Sequence, residues 1–287
     1  MSGPELALGT ARLGRGGAVA PLLEAAVENG ITLVDTAPEF GDAERVLGRS
    51  WPFPSPFRVG TRTIGLEDGL DRLEARARRS VERMGLARAR AIVVRSGEDL
   101  LGPQGAALWN RLERLKGDGL FEKIGVALTA DVSPLTVARR FRPDVVQVPV
   151  SFLDQRLVRD GTLAGLVDLG CEVQLHSVFL HGLLFTAREA LTPQLAAVGP
   201  RLSRVRRTLA EARVDPMHAA LAFALSRPEA SSVIVSVATA CELRAAVTAA
   251  ALPCPRLDWT SLAVEDPVAL DPRLWASAPE PLVSNAA

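Results

Sequence analysis

Short apolar runs rich in β-branched residues alternate with longer stretches in which Ala, Leu and Arg recur at helical spacing, across most of the chain. Seven runs are clear, at 31–35, 57–61, 91–95, 123–127, 145–148, 172–177 and 232–237, and a weaker one lies at 6–8. Between them the pattern predicts helices over 19–29, 43–50, 70–84, 105–117, 134–141, 161–169, 202–212, 216–226 and 240–249. Runs without a polar face suit strands covered on both sides, and a parallel sheet acquires that cover from its crossover helices. About eight such units in 287 residues favour closure into a (β/α)8 TIM barrel over an open sheet. The 6–8 run has a second reading as a plug strand beneath the barrel, which would move the eighth barrel strand to the neighbourhood of Leu183.

No linker divides the chain, so residues 1–252 read as one barrel domain. Beyond Leu252 the periodicity is lost and prolines accumulate (Pro253, Pro255, Pro267, Pro272, Pro279, Pro281). Residues 253–287 are therefore expected to form an extended tail, packed on the barrel or trailing from it, with Trp259 and Trp275 as docking residues.

Composition narrows the function classes. Hydrophobic residues make up 48% of the chain, ample for a packed core, and the formal net charge is zero. No segment gathers Lys or Arg among aromatic residues, which argues against nucleic acid or an anionic membrane as partner, and no apolar run is long enough to cross a bilayer. Lys116 and Lys123 are the only lysines; the Arg, Ala, Gly and Pro bias fits a GC-rich bacterial genome. Cys171, Cys241 and Cys254 show no C-x-x-C spacing, and the N-terminus lacks the basic and apolar regions of a signal peptide. A cytoplasmic protein without a metal site is the expectation.

The candidate chemistry starts at Asp35. An apolar run that ends in a carboxylate, followed by a loop and a helix, is how a parallel barrel delivers a reactive group to its carboxyl-terminal mouth. Five residues on, where a phenol would serve as proton donor, stands Phe40; the chain contains no tyrosine.

These segments carry a family resemblance. D-T-A-P-E-F-G-D-A-E-R-V-L-G (35–48) is similar to the D-T-A-x-x-Y-G-x-x-E-x-x-L-G of the aldo/keto reductases. V-V-Q-V-P-V-S-F-L-D-Q-R (145–156) resembles their Q-x-x-Y-N-x-L-D stretch, and H-S-V-F-L-H-G-L-L-F (176–185) their S-P-L-x-x-G-L-L strand. Order and spacing agree from about residue 6 to 249. The resemblance implies an aldo/keto reductase-like barrel and hydride transfer from a nicotinamide to a carbonyl. It also implies a catalytic tetrad of Asp, Tyr, Lys and His, of which only Asp35 is present. Phe40, Arg62 and Arg95 stand at the tyrosine, lysine and histidine positions.

Phe has no proton to give, and Arg stays protonated at ordinary pH. Loss of a positioned general acid typically costs about 10²–10⁴ in rate. The positions that would grip the adenosine 2′-phosphate and adenine read Ser236, Val237, Glu242 and Ala246, and Glu242 would repel a phosphate. By the same resemblance Gln147 would meet the nicotinamide amide, Ser151 replaces its asparagine partner, and His176 stands where an aromatic ring stacks on the nicotinamide. The expected cofactor is thus none or NAD, rather than NADP.

Asp35, Arg62, Arg95, His176 and the neighbouring Glu39 form the candidate catalytic set. Two guanidinium groups at one mouth prefer a small substrate carrying carboxylate or phosphate, and imidazole is the side chain suited to proton transfer near neutral pH. His181 is a weaker pocket candidate, and His218, on an Ala-rich helix, reads as structural. The favoured reading is an enzyme of biosynthetic metabolism performing a non-reductase reaction, namely elimination, isomerisation or cyclisation. The alternatives are an NAD(P)H-dependent oxidoreductase reducing a carbonyl or keto-sugar, and a non-catalytic barrel that binds a ligand or partner.

Overall fold

The computed structural model describes residues 3–52 and 54–275. Its elements follow in the order β1 (Glu5–Gly9), α1 (Ala20–Glu28), β2 (Leu33–Asp35), α2 (Ala43–Ser50), β3 (Arg58–Arg62), α3 (Leu70–Arg83), β4 (Ala89–Val94), α4 (Gly97–Leu101), α5 (Gly105–Gly117), β5 (Phe121–Ala127), α6 (Pro134–Phe141), β6 (Val145–Pro149), α7 (Arg156–Arg159), α8 (Thr162–Asp168), β7 (Glu172–His176), α9 (Gly199–Glu211), α10 (Pro216–Leu225), β8 (Ala230–Ser236), α11 (Ala240–Ala250) and α12 (Pro267–Leu270). The eight strands pair in parallel and in sequence order, and β1 closes against β8 with Gly9 opposite Ser236. Residues 6–8 are thus a barrel strand and not a plug. The segment around Leu183 is a single tight turn (Leu180–Gly182) inside the long connection after β7.

Alternation along the strands divides the barrel into two environments. Leu8, Val34, Val59, Ile92, Ile124, Val146, Leu175 and Val233 point outward and join the helices in one continuous apolar core. The opposite face of each strand lines the barrel interior, where Ala7, Leu33 and Ile234 make a separate small cluster, Val93 and Val145 add apolar volume, and Asp35, Gln147 and Gln174 bring polar groups. Closure needs this economy of volume. A Cβ on Gly9 would lie 2.4 Å from the Ser236 Oγ and 3.0 Å from an Ile234 methyl, so glycine sets the β1–β8 approach.

The outer layer is pinned at α2 by the second half of the D-T-A motif. Glu44 accepts from Thr61 Oγ1 at 2.8 Å and from Arg76 Nη2 at 2.5 Å, tying α2 to β3 and α3. Leu47 is fully buried, and a Cβ on Gly48 would sit 2.3 Å from the Arg83 carbonyl oxygen. The E-x-x-L-G spacing is therefore a packing signature.

Beyond α11 the chain returns over the barrel. The Val264 amide donates to the Leu153 carbonyl at 2.8 Å, the Arg201 Nε donates to Ala263 O at 3.1 Å, and Leu262, Val264, Leu270 and Trp275 enter the main core. Arg273 holds Asp131 at 2.6 Å and Glu98 at 3.7 Å, in the connections after β5 and β4. The part of the expected tail at 276–287 lies outside the described residues. Among the described residues no helix is long and apolar enough to cross a membrane.

Candidate active site at the carboxyl mouth of the barrel

Asp35 ends β2 and is buried, with both carboxylate oxygens engaged. Oδ1 accepts from Gln147 Nε2 at 2.6 Å; Oδ2 accepts from Arg62 Nη2 at 3.4 Å. The same Gln147 nitrogen donates to Gln174 Oε1 at 3.1 Å, so its two protons have two acceptors and the amide orientation is defined. Gln174 Nε2 in turn donates to Glu172 Oε1 at 3.2 Å, and Glu172 is clasped by Arg90 at 2.8 Å and by Lys123. Burial would raise the Glu172 carboxyl pKa, but the hydrogen bonds from Lys123 and Arg90 outweigh it and hold it below the ordinary value. A hydrogen-bonded column thus runs along the barrel axis from Lys123 to Arg62. It passes a cavity of about 10 Å³ lined by Asp35, Arg90, Gln147 and Gln174, about the room of one water molecule. A β-bulge between Val173 and Gln174 sits on this column.

Arg62, the last residue of β3, is 16% exposed. Its contacts are long: 3.4 Å to Asp35, 3.6 Å to Glu39, and 5.7 Å from the guanidinium carbon to the Phe40 ring centroid. Its buried Nε has no hydrogen-bond partner among the described residues. Charge-assisted pairs normally close to about 2.7–2.9 Å, as Arg156 does on Asp154 at 2.9 and 2.8 Å. Arg62 is therefore held without being satisfied.

His176 ends β7, half-buried, with Nδ1 2.8 Å from Ser177 Oγ. Burial, then the positive charge of Arg62, then His181 push its pKa down to about 3, so the ring is neutral at physiological pH. His181 is lowered as well, by burial, and its ring meets Trp275 of the tail edge-on with centroids 6.2 Å apart. Ser177, Leu180 and His181 all have positive φ (57°, 45° and 49°), an accumulation of left-handed non-glycine backbone in one loop. Such conformations typically cost about 1–3 kcal/mol each and cluster at functional sites.

The sequence-derived set thus divides. Asp35, Arg62, Glu39 and Phe40 share one contact network, and the Arg62 charge reaches His176. Arg95 follows β4 on the rim, 37% exposed, where it pairs with Glu67 at 3.4 Å and Asp99 at 3.6 Å and makes no ion pair with Asp35. His218 bonds the Pro253 carbonyl at 2.9 Å on an outer helix.

The residues that the resemblance assigned to a cofactor are mostly engaged elsewhere. Gln147 is 1% exposed and its amide N–H groups serve Asp35 and Gln174. Ser151 is buried and accepts from the Leu153 and Asp154 amides at 3.2 and 3.0 Å. Ser236 lies half-buried against Gly9, and Val237 and Ala246 are buried. Glu242 accepts from the Ala238 amide at 2.8 Å and from Arg12 at 3.0 Å, while Thr239 caps α11 by accepting from the Glu242 amide at 3.1 Å. Arg12 and Gln174 were not singled out from the sequence. The alternation E-V-Q-L-H puts Gln174 on the face of Glu172 and His176, which is a signal for Gln174; T-A-C-E is a capping-box spacing that points to Glu242 and not to Arg12. No cluster of three or more His, Cys, Asp or Glu suited to a metal occurs among the described residues.

Closed topology, a carboxylate on β2 and a site at the carboxyl mouth define an (β/α)8 enzyme-type barrel. The chain belongs to the aldo/keto reductase family, whose model matches residues 5–263. Among solved structures it is similar to an aldo-keto reductase from Bacillus halodurans in its holo form, at 17% identity over 90% of each chain with a TM-score of 0.73. A Pseudomonas aeruginosa protein named for the same family matches at 19% identity over 87% of this chain and 91% of that one, with a TM-score of 0.64. At these identities the likeness concerns the fold. No curated protein matches the sequence at a significant level.

Proposed function

We propose that this barrel has left carbonyl reduction and acts on a small metabolite carrying a carboxylate or phosphate, by proton transfer leading to isomerisation, elimination or cyclisation. The observation that carries this reading is the state of Arg62: a planar guanidinium at the carboxyl mouth, held among the described residues by carboxylates at 3.4–3.6 Å and with a buried, unpartnered Nε. Such a group favours a bidentate anion. Phe40 beside it supplies an apolar wall and no proton.

The roles follow from placement. Arg62 binds the anionic group, and Asp35 orients Arg62. Glu39, 45% exposed and 3.6 Å from Arg62, is the carboxylate free to take a proton. His176, with its pKa near 3, is too weak a base to hold a proton at pH 7; in the tautomer whose Nδ1 accepts from Ser177, its Nε2–H donates to a developing oxyanion. Arg95 stays on the rim, shared between Glu67 and Asp99, and takes no direct part in holding the anion. A small molecule is the partner, with no part for nucleic acid or membrane, and the bacterial cytoplasm is the setting.

A second reading, NAD-dependent reduction of a carbonyl or keto-sugar, draws on the family itself, whose members use nicotinamide cofactors. Arg62 would then stabilise the alkoxide. The two readings part in one experiment: the protein is incubated in D2O with a series of hydroxy acids, keto acids and sugar phosphates, and C–H to C–D exchange is followed by NMR. Exchange is expected with at least one anionic compound, slowed about 10²-fold or more by Glu39→Gln or Arg62→Ala. Absence of exchange across the series, together with NADH oxidation by a ketone, would sink the proton-transfer reading.

A further inference from the structure

We infer that Glu242 occupies, as an internal carboxylate, the seat where a barrel of this family would hold the 2′-phosphate of NADP, so that this chain excludes 2′-phosphorylated dinucleotides. The inference does not rest on the reaction proposed above.

Barrel phosphate sites are commonly built from the connections after the seventh and eighth strands and a helix N-terminus, whose free N–H groups and dipole favour an anion. After β8 that helix is α11. Two of the donors around its start already have side-chain acceptors within the chain. The Ala238 amide donates to Glu242 Oε2 at 2.8 Å, and the Glu242 amide donates to Thr239 Oγ1 at 3.1 Å. The cation at hand, Arg12, places two nitrogens on the same carboxylate at 3.0 and 3.4 Å, with both side chains mostly sheltered. An arriving phosphate would meet a negative charge in place of a basic residue, and it could use Arg12 only by breaking a charge-assisted pair.

Packing holds Arg12 at the seat. The connection after β1 lies directly on the start of α11: a Cβ on Gly16 would sit 2.5 Å from the Thr239 methyl and 3.0 Å from the Ala238 carbonyl oxygen. The loop that carries Arg12 is thus pressed onto the helix start through a glycine, and the ion pair staples it there. The nicotinamide end does not decide the matter: Ser151 and the Gln147 N–H groups are engaged internally, while Gln147 Oε1 is buried with no partner among the described residues. The residues present do not fit a 2′-phosphorylated cofactor.

The test is calorimetric titration of the whole protein with NADPH and with adenosine 2′,5′-bisphosphate, which carries the adenosine end alone. The wild type should show no saturation up to about 1 mM. Glu242→Gln, which keeps the shape but removes the charge, and Glu242→Ser, which also removes the reach, should each gain at least about tenfold in affinity for both ligands. Adding Arg12→Ala should erase that gain, while circular dichroism reports whether each variant is folded. Micromolar binding by the wild type, or equal affinity in wild type and both Glu242 variants, overturns the inference. Reduction of a ketone with NADH, which lacks the 2′-phosphate, would defeat the proton-transfer reading and leave this one standing.

Discussion

His176 enters the folded state uncharged, and the sign of its linkage to stability follows from that. Its ordinary value is 6.5 and its value in the fold is about 3. Between these pH values the unfolded chain binds a proton that the folded chain refuses, so stability falls as pH drops through 6.5 and the penalty is complete below about 3. The slope from this one group cannot exceed about 1.4 kcal/mol per pH unit. Urea titrations of wild type and His176→Asn between pH 7 and 4 should show the wild type losing stability faster. Parallel curves would mean that the ring is charged in the fold or freely solvated. At the same scale, Asp35 and Arg62 were legible because a charged residue after an apolar run is conspicuous. Gln174 had only the weaker mark of strand alternation, because an uncharged amide inside a strand is not conspicuous.

Helix spans came through in the sequence to within a few residues, since nine amphipathic stretches with full turns leave a strong period; α9 and α11 are examples. Strand ends were less clear. β5 begins at Phe121 and β8 at Ala230, each two residues before the apolar run becomes evident. Residues 177–198 gave no pattern because the chain there turns through left-handed conformations at Ser177, Leu180 and His181, which the sequence does not advertise with glycine. The α2–β3–α3 junction offers a test at this scale. Glu44→Ala would leave Arg76, which is 17% exposed, without its carboxylate and Thr61 without its acceptor. Loss of one partner from such a buried pair costs about 3–5 kcal/mol, so the thermal midpoint should fall steeply, with Glu44→Gln intermediate. A change within about 0.5 kcal/mol for Glu44→Ala would show that this junction is dispensable.

At the scale of the whole molecule the returning tail is what the sequence left open, since a proline-rich stretch without period can dock or trail. The structure docks it through to Trp275, with Arg273 as the fastener on Asp271, Asp131 and Glu98. The hydrogen bonds from Arg273 hold the Asp271 carboxyl below its ordinary value, so this fastener survives moderate acid and weakens only when carboxylates protonate. Arg273→Ala should speed limited proteolysis of the tail several-fold while the barrel resists, and it should alter Trp275 fluorescence. An unchanged cleavage rate would mean that the apolar contacts of Leu270 and Trp275 suffice.

The axial column has a consequence for how this protein tolerates change. A barrel whose inner layers are hydrocarbon insulates one mouth from the other, so damage at the base is felt as lost stability alone. Here Lys123, Glu172, Gln174 and Gln147 hand a fixed orientation upward to Asp35, each link hydrogen-bonded to the next. A saturation scan scored on function at constant protein level should therefore show two patterns of intolerance. One is a ring of positions around the mouth. The other is a line down the barrel axis, ending at residues that no ligand approaches.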